Sequence, residues 1–384
     1  MPAKGSTILE ARPRKMPPRV SFSDQVCATA RALGFDAVGI ARAGPDVKLD
    51  RDFRAYEAFV RTGMSGEMQW LADPQRAAVR ERLDGEGILR GARSVVCVAR
   101  RYGGDAGSGD AREKAEGVAN LVARYARGRD YHRFLRRRIR RLASFVRSLG
   151  TPDHPVRARP LCDEEPILER AWAVRAGLGF VGKNGMLIVP GLGSMVLLGE
   201  VVTTLALDET GLAPQPERCG ACTRCLDVCP TSAFLRPFVL DPRQCISYLT
   251  IEHKTSVGAD LRSKMGDHLF GCDDCQTVCP FNAGEGARGP LFGADGNPFA
   301  PLERWSRLRL QDLLSLDEAS WRVLSEGTPL RRAGRSALAR NAAIVLGNRR
   351  DASGLDALRR AARSHDDLVV REAAEWAINQ IEAR

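Results

Sequence analysis

Residues 219–230 read CGACTRCLDVCP, and a second stretch at residues 272–280 reads CDDCQTVCP. The first stretch holds four cysteines and the second holds three, and both end in C-x3-C-P. Cysteines at this spacing supply the four thiolates that each [4Fe-4S] cluster takes. C-x2-C pairs also suit zinc, but a C-x3-C-P ending that occurs twice favours iron and sulfur. The two stretches therefore predict a ferredoxin-like domain with two [4Fe-4S] clusters.

The four cysteines of the first stretch are not expected to serve one cluster. In two-cluster ferredoxins the fourth cysteine of such a run ligates the other cluster, because it follows a turn and points away from the first three. The second stretch lacks one ligand, and Cys245 is the spare cysteine nearest to it. We assign the first cluster to Cys219, Cys222, Cys225 and Cys279. The second cluster takes Cys229, Cys245, Cys272 and Cys275.

The composition of the 384-residue chain changes along its length and predicts several domains. Residues 1–20 form a basic tail that we expect to be disordered. Residues 21–205 alternate helix and strand patterns, which indicates an α/β domain. Residues 206–300 carry the clustered cysteines and depend on metal to stay compact. Residues 301–384 are helical, and two similar Ala-rich segments in them predict a HEAT-like repeat, with a plain helical bundle as the alternative.

Several elements of the α/β domain can be placed by pattern. A helix in DQVCATARALGF stops at Gly34 and precedes a strand in DAVGIA, and ARSVVCVARRY is typical of a buried strand. DYHRFLRRRIRRLASFVRSLG is an amphipathic helix that ends at Gly150. MLIV and MVLLGEVV are expected strands. Three cysteines outside the cluster motifs are interpreted as core thiols: Cys27, Cys97 and Cys162.

The net charge of +11 favours a polyanionic partner, with nucleic acid as the first candidate. A generally basic proteome is the alternative explanation of that charge. The most apolar run, MLIVPGLGSMVLLGEVV, is interrupted by Pro190 and several glycines and cannot form a spanning helix. The first twenty residues lack the apolar segment of a secretory signal. We therefore expect a soluble cytoplasmic protein with no membrane contact.

Longer stretches resemble the epoxyqueuosine reductase family. They are CDEEPILERAWAVRAGLGFVGKNGMLIV, CGACTRCLDVCPTSAF, DPRQCISYLTIEHK, GCDDCQTVCPFN, GRDYH and GTPLRRAGRSALARNAAIVLGN. The resemblance runs from about residue 24 to the C-terminus. It implies a cobalamin-dependent oxidoreductase that reduces the epoxide of epoxyqueuosine, at the wobble position of certain tRNAs, to the alkene of queuosine. In that scheme the α/β domain holds base-off cobalamin, the two clusters reduce its cobalt, an external low-potential donor supplies electrons, and the enzyme is a monomer.

The same resemblance implies that Asp163 is the proton donor. Opening an epoxide leaves an alkoxide that must be neutralised, and donation near neutral pH requires burial to raise the pKa of this carboxyl. A solvated acidic loop paired with Arg170 is the alternative. Asp130 also suits a helix cap, and His132 is disfavoured as an axial cobalt ligand because the family leaves that position free. Cobalamin contacts are implied for Arg82, Asp130, Tyr131, His132, Asp163, Lys183, Asn184, Met186, Ser194, Ser247 and Phe270.

Basic residues near the start of a C-terminal helix are the expected RNA contacts, because backbone N–H groups there also favour phosphate. They are Lys254, Arg331, Arg332, Arg335 and Arg340. The run RFLRRRIRR is a weaker candidate, since a charge run is usually a solvated helix face. Two rival functions stay open. A reductive dehalogenase predicts a twin-arginine export signal and no RNA-binding end, and a two-cluster electron carrier predicts neither cobalamin uptake nor tRNA binding.

Overall fold

A four-stranded sheet forms the centre of the N-terminal domain in the computed structural model, which describes residues 20–43, 50–81, 87–102, 117–163, 165–210, 217–283 and 297–383. Residues 1–19 of the expected disordered tail and Arg82 lie outside these residues. The elements of this domain are α1 (Phe22–Ala32), β1 (Ala37–Arg42), α2 (Asp50–Arg61), α3 (Pro74–Glu81), β2 (Ser94–Arg101), α4 (Tyr131–Ser148), β3 (Ala158–Leu161), α5 (Glu169–Arg175), β4 (Phe180–Val181), β5 (Leu187–Ile188) and β6 (Val196–Thr203). Short 3-10 helices cover Gln69–Leu71, Gly117–Leu121 and Arg124–Ala126.

The strands of the central sheet lie in the order β1-β2-β6-β3, and every neighbouring pair is antiparallel. The predicted alternation of helices and strands is present, but the sheet is not the parallel type that alternation usually favours. One face packs against α1 and α4, and the other packs against α5. Cys27 lies in the first of these layers and Cys97 in the second, both buried. Helices therefore cover both faces of the sheet, and the end of β3 near residue 161 lies between these two layers.

The helices that flank the sheet follow their sequence signals. Ser21 caps α1 by accepting a hydrogen bond from the Asp24 N–H, and Gly34 ends the turn with a φ of +87°. Asp130 caps α4, and the buried side of α4 includes Leu135 and Ile139. The two predicted strands MLIV and MVLLGEVV belong to different sheets, because β5 pairs with β4 whereas β6 lies in the central sheet.

The cysteine-rich segment contains short elements between its loops. They are α6 (Arg224–Asp227), β7 (Phe234–Arg236), β8 (Val239–Leu240), α7 (Ile246–Ile251), α8 (Ala259–Lys264) and α9 (Asp274–Thr277). Each cysteine motif thus contains a single helical turn, α6 with Cys225 or α9 with Cys275. Helix α7 is buried along most of its length and begins directly after Cys245.

The C-terminal segment is helical as predicted. Its helices are α10 (Glu303–Ser306), α11 (Leu310–Leu313), α12 (Glu318–Ser325), α13 (Arg335–Arg349), α14 (Leu355–Ser364) and α15 (Leu368–Glu382). Helix α13 is buried nearly all round and packs against α15, which also packs against α14. The HEAT-like pairing stays a prediction, as do the domain boundaries. Among the described residues, no helix combines the length and apolar character needed to cross a bilayer.

The largest hydrophobic core crosses the predicted boundary at residue 300. It joins α7 and α8 to the C-terminal helices and also takes in Val118, Leu121 and Val122 from the N-terminal segment. Gly117 shows how close this approach is, because a Cβ there would lie 2.3 Å from the Ser306 carbonyl oxygen. The cysteine-rich and helical segments therefore share one core, and the cysteine loops are supported by protein packing as well as by any metal.

Candidate active site

Asp163 lies at the end of β3, where its carboxylate meets two side chains from the start of α4. The Tyr131 hydroxyl donates to Asp163 Oδ2 at 2.6 Å, and His132 Nε2 lies 2.8 Å from the same oxygen. On the other side of the ring, His132 Nδ1 lies 2.7 Å from Asp130 Oδ1. The Asp163 side chain is 49% exposed, whereas the His132 side chain is 23% exposed. The His132 imidazole is thus held between the carboxylates of Asp130 and Asp163, and the Asp163 carboxylate is partly exposed.

The backbone around Asp163 is held in an unusual conformation. Asp163 has a φ of 60°, a left-handed value that non-glycine residues seldom adopt. Its N–H donates to Glu169 Oε1 at 3.0 Å, and the N–H of Cys162 donates to Glu165 Oε2 at 3.1 Å. Two glutamates therefore hold the turn that aims Asp163 at His132.

The charges in this group favour a protonated imidazole. Burial opposes the charge on His132, but the hydrogen bonds and charges of Asp130 and Asp163 outweigh it and raise the pKa of His132 to about 9. Burial also acts to raise the pKa of Asp163, but the hydrogen bonds from His132 and Tyr131 and the charges of His132 and Arg332 lower it below its ordinary value. Burial thus acts in the expected direction, but the hydrogen bonds and charges around Asp163 reverse its effect on the pKa. These shifts favour the proton on His132 over Asp163.

The carboxylates also bear on metal ligation. Both ring nitrogens of His132 are engaged by Asp130 and Asp163, so the imidazole has no lone pair directed at a metal. That His132 is not an axial ligand stays a prediction. Asp130 caps α4 as the sequence suggested, since it accepts the His132 N–H, and its contact with cobalamin stays a prediction.

The first cysteine group gathers residues from both motifs. Cys279 is buried in a small apolar cluster that Cys219 borders. The Cys279 thiol is also close enough to Cys222 and Cys225 to interact with them electrostatically. The residues between these cysteines in the first motif are largely exposed. The last cysteine of the second motif thus lies with the first three of the first motif.

The second group gathers around Cys245. The Cys245 thiol interacts electrostatically with Cys229 and Cys272, and Cys275 interacts with Cys245 and Cys229. Cys275 is also within range of Cys225, so the two groups adjoin. Cys245 and Cys272 border the large core. The structure therefore brings together the cysteines in the crossed arrangement that the spacing predicts.

Several residues implied as cobalamin contacts hold the cysteine loops instead. The Lys183 ammonium donates to the carbonyls of Gly220 and Cys222, and the amide of Asn184 donates to the Cys275 carbonyl. The hydroxyl of Ser194, which is 1% exposed, donates to Gln276.

The side chains of Asn184, Ser194 and Phe270 are covered by protein. Asn184 is 5% exposed and Ser194 and Phe270 are each 1% exposed, so the structure does not bring them to a surface that a ligand could contact. Contact of these three side chains with a cofactor stays a prediction. Met186 and Ser247 are partly exposed, and their contact with a cofactor stays a prediction.

Three of the five expected RNA contacts have their charged groups bonded to other parts of the protein. Arg340 is 1% exposed and donates to the carbonyls of Leu249, His253 and Thr255. Arg335 is 16% exposed on its side chain and pairs with Asp366.

Lys254 donates from its ammonium to the carbonyls of Ile251, Arg332 and Ala333. The expectation that these three side chains bind phosphate is therefore wrong for Arg340, which is buried, and unsupported for Arg335 and Lys254, whose charges are engaged. The physical reason is the same in each case: the basic group is used inside the protein.

Arg331 and Arg332 remain exposed, and Arg332 lies near the acid group, by which we mean Asp130, Tyr131, His132 and Asp163. Arg332 pairs with Glu252 at 3.0 Å and is close enough to Asp163 and Tyr131 to interact with them electrostatically. The N–H of Asp130 donates to the Gly327 carbonyl at 2.8 Å, which ties the segment before Arg331 to the start of α4. The sequence motifs GRDYH and GTPLRR thus meet at one place.

Pattern analysis missed some residues of this region. Glu200 lies on β6 opposite Cys97, is fully buried, and its carboxyl oxygens have no hydrogen-bond partner among the described residues. Burial and the charge of Glu169 raise the pKa of Glu200 well above its ordinary value. A glutamate inside the strand pattern VLLGEVV was the available signal. Trp70, in MQWL, is 41% exposed and lies beside Arg332.

Family models match two parts of the chain. The model described as "4Fe-4S double cluster binding domain" matches residues 218–282, and the model described as "Epoxyqueuosine reductase QueG, DUF1730" matches residues 82–163. The second match ends at Asp163. Together they cover the cysteine loops and the α4 region.

Whole-chain comparisons give the same family throughout. The chain is 40% identical to the epoxyqueuosine reductase of Gloeobacter violaceus over 329 residues, which cover 84% of this chain and 95% of that one. It is 36% identical to the epoxyqueuosine reductase of Xanthomonas campestris over 354 residues, 91% of this chain and 94% of that one.

Two solved structures are similar over nearly the whole chain. One is an epoxyqueuosine reductase with an epoxyqueuosine-modified tRNA-Tyr stem loop, with a TM-score of 0.79, 30% identity and coverage of 93% of this chain and 89% of that chain. The other is the epoxyqueuosine reductase of Bacillus subtilis with its catalytic loop swung out of the active site, with a TM-score of 0.77, 29% identity and coverage of 93% and 90%.

Proposed function

The chain belongs to the epoxyqueuosine reductase family, and we propose that it reduces the epoxide of epoxyqueuosine in tRNA to the alkene of queuosine with protons from Asp163 and His132. The observation that carries this proposal is the acid group itself. The half-exposed Asp163 carboxylate is hydrogen-bonded to the His132 imidazole, and the exposed Arg332 guanidinium interacts with it electrostatically.

The stoichiometry of the reaction explains why an acid pair is needed. Converting an epoxide to an alkene breaks two C–O bonds, consumes two electrons and two protons, and releases one water. The departing oxygen needs both protons, one to neutralise the alkoxide and one to leave as water. His132 can pass its Nε2 proton to Asp163, 2.8 Å away, and Asp163 can deliver it to the departing oxygen, while solvent supplies the second proton through the half-exposed Asp163 carboxyl. Asp130 then accepts a hydrogen bond from the Nδ1–H of the neutral imidazole that remains.

The residues present fit base-off cobalamin as the cofactor. When bound, cobalamin supplies a low-potential cobalt centre that can deliver both electrons to one carbon. The fit rests on the donor set: both ring nitrogens of His132 are held by carboxylates. Tyr131, His132 and Asp163 would hold the cofactor, with Met186 and Ser247 as further partly exposed contacts.

The two cysteine groups support a direction for electron flow. The first group is surrounded by exposed residues such as Ala221 and Arg224, whereas Asp273 and Gln276, next to the second group, are buried. We propose that an external low-potential donor reduces the cluster of the first group and that the cluster of the second passes electrons inward. The groups adjoin between Cys225 and Cys275, which suits transfer between them.

The proposed substrate is epoxyqueuosine-containing tRNA, since a similar protein was solved with such a stem loop. Arg331 and Arg332 would contact the RNA backbone beside the site, and that binding should weaken with salt because phosphate contacts release counterions. A substrate base must leave its stack to reach Asp163, which costs least in a single-stranded loop. We propose a cytoplasmic location, which suits a tRNA substrate.

Anaerobic purification with cobalamin, followed by an absorbance spectrum and an assay on epoxyqueuosine-containing tRNA, tests the proposal. We expect a bound corrinoid spectrum and conversion to queuosine, measured by mass spectrometry of the digested RNA. A protein that carries two clusters but takes up no corrinoid and binds no tRNA would be an electron carrier instead. That outcome would overturn the proposal.

A further inference from the structure

Trp70 is an exposed aromatic side chain that the proposed reaction does not use. It is 41% exposed, which is unusual for an indole in a folded protein. The guanidinium of Arg76 lies 5.8 Å from its ring centre, and that of Arg332 lies 6.0 Å from it. Both distances are in the range of cation–π contacts. An indole bordered by two cations offers a flat apolar surface within a positive rim.

The segment that carries Trp70 is anchored firmly although the ring is open. Glu67, three residues earlier, accepts hydrogen bonds from the Lys254 N–H and the Thr255 hydroxyl, and it pairs with His253 at 2.8 Å. The Glu67 N–H donates to the Tyr248 hydroxyl at 2.8 Å. Because these contacts fix the backbone before Trp70, the ring is held in place before any ligand arrives, which reduces the cost of ordering it.

The same anchor explains why two expected RNA contacts are turned inward. Arg340 donates to the carbonyls of His253 and Thr255, and Lys254 donates to the Arg332 carbonyl. Residues 253–255 therefore connect Glu67 on one side to Arg332 on the other. Arg340 and Lys254 act as positioning residues for the Trp70 and Arg332 pair.

This pair lies at the approach to the acid group. Arg332 is close enough to Asp163 and Tyr131 to interact with them electrostatically while its guanidinium borders the Trp70 ring. The ring is thus next to the path that a substrate base would take. Unpaired bases bind proteins by stacking on aromatic and guanidinium planes.

We propose that Trp70 is a stacking platform for an unpaired base of the tRNA anticodon loop, next to the base that enters the active site. The inference rests on the proposed function, because it requires an RNA substrate. It adds a binding residue outside the acid group and the cysteine loops, and it assigns the recognised chemistry: the π face of a nucleobase, with Arg332 on the adjoining phosphate. Stacking of this kind tolerates any base.

Binding of the full-length, cluster-loaded protein to an anticodon stem-loop RNA tests the proposal. Trp70→Ala and Trp70→Leu should each weaken binding by roughly 5- to 150-fold, the range expected for loss of one stacked base. Trp70→Phe should keep most of the affinity because phenylalanine still stacks. The indole emission should be quenched by RNA in the wild type, and this quenching should be lost in Trp70→Phe. Val323→Ala, which shortens an apolar side chain that is 72% exposed, should change nothing.

The outcomes separate this inference from the proposed function. If Trp70→Leu binds as well as Trp70→Phe, or if both bind the loop as tightly as the wild type, stacking is refuted. If the Trp70 variants lose equal affinity for a fully paired RNA stem, the effect is not on an unpaired base and the inference also fails. In either case wild-type turnover of epoxyqueuosine would leave the proposed function standing. A wild type that neither binds nor converts the substrate would overturn both.

Discussion

Replacing His132 with glutamine should destabilise the protein at low pH and have less effect at high pH. His132 lies between Asp130 and Asp163, and these carboxylates raise its pKa from 6.5 to about 9. A raised pKa in the folded state means that the folded chain holds a proton that the unfolded chain releases. The stabilisation is therefore complete below about pH 6.5 and is lost as the pH rises through about 9. Glutamine keeps a hydrogen-bonding side chain but carries no charge.

The size of the effect follows from the shift and the exposure of the partners. A change from 6.5 to about 9 corresponds to about 3 kcal/mol if it is taken in full. The side chains of Asp130 and Asp163 are 36% and 49% exposed, so solvent screens part of the attraction. We expect about 1 to 2 kcal/mol of difference between wild type and variant at about pH 6. At about pH 10 most of that difference should be gone.

Thermal melting of cluster-loaded wild type and His132→Gln across this pH range measures the effect. The melting temperatures should differ by a few degrees at low pH, and the gap should narrow as the pH rises. His154→Gln is the matched control, since His154 is exposed on a surface turn and its loss should leave the pH dependence unchanged. A gap of constant size from low to high pH would refute the charged imidazole.

Three further changes test other parts of the structure. Cys245→Ala should lower the iron content from roughly eight to roughly four per chain, whereas Cys27→Ala should leave it unchanged; a Cys245 variant with full iron would contradict the crossed assignment. Glu200→Gln should flatten the pH dependence of the melting temperature. The raised pKa of Glu200 means that wild-type stability falls as the pH rises above the ordinary pKa of a glutamate. Parallel curves of melting temperature against pH for the two proteins would argue against a buried neutral carboxyl. Arg340→Met should cost about 3 to 5 kcal/mol in denaturant unfolding, because it leaves buried carbonyls unpartnered; an equally stable variant would mean that these bonds contribute little.

The predictions that succeeded depend on short-range chemistry. The spacing of the cysteines predicts Cys279 near the first motif and Cys245 near the second, and the structure has these thiols close together. Which cluster each cysteine ligates stays a prediction. The α4 pattern also places its apolar residues correctly, since a helical period of 3.6 residues decides which side is buried. Asp130 could be predicted as the cap of α4 because an aspartate before a helix accepts hydrogen bonds from the free N–H groups of the first turn.

The predictions that failed depend on contacts between distant segments. Arg340 was expected to bind phosphate because it lies in a basic segment, but its partners are carbonyls 85 or more residues away in the chain. A sequence pattern carries no sign of such partners. The pKa of Asp163 was expected to rise with burial, yet the hydrogen bonds and charges of His132, Tyr131 and Arg332 together outweigh burial. A sequence allows an estimate of whether a charged side chain is buried, but it does not identify the opposite charge that the side chain will contact.

Single-turnover conversion of an epoxyqueuosine-containing stem loop by Asp163→Asn and wild type is the most direct test of the central claim. Both proteins should bind cobalamin, hold both clusters and bind the RNA with equal affinity, because asparagine keeps the shape of the side chain and removes its acidity. The wild type should form queuosine, and the variant should be slower by about 10²- to 10⁴-fold, the usual contribution of a general acid. Conversion by the variant at the wild-type rate, or no conversion by the fully loaded wild type, would contradict the account.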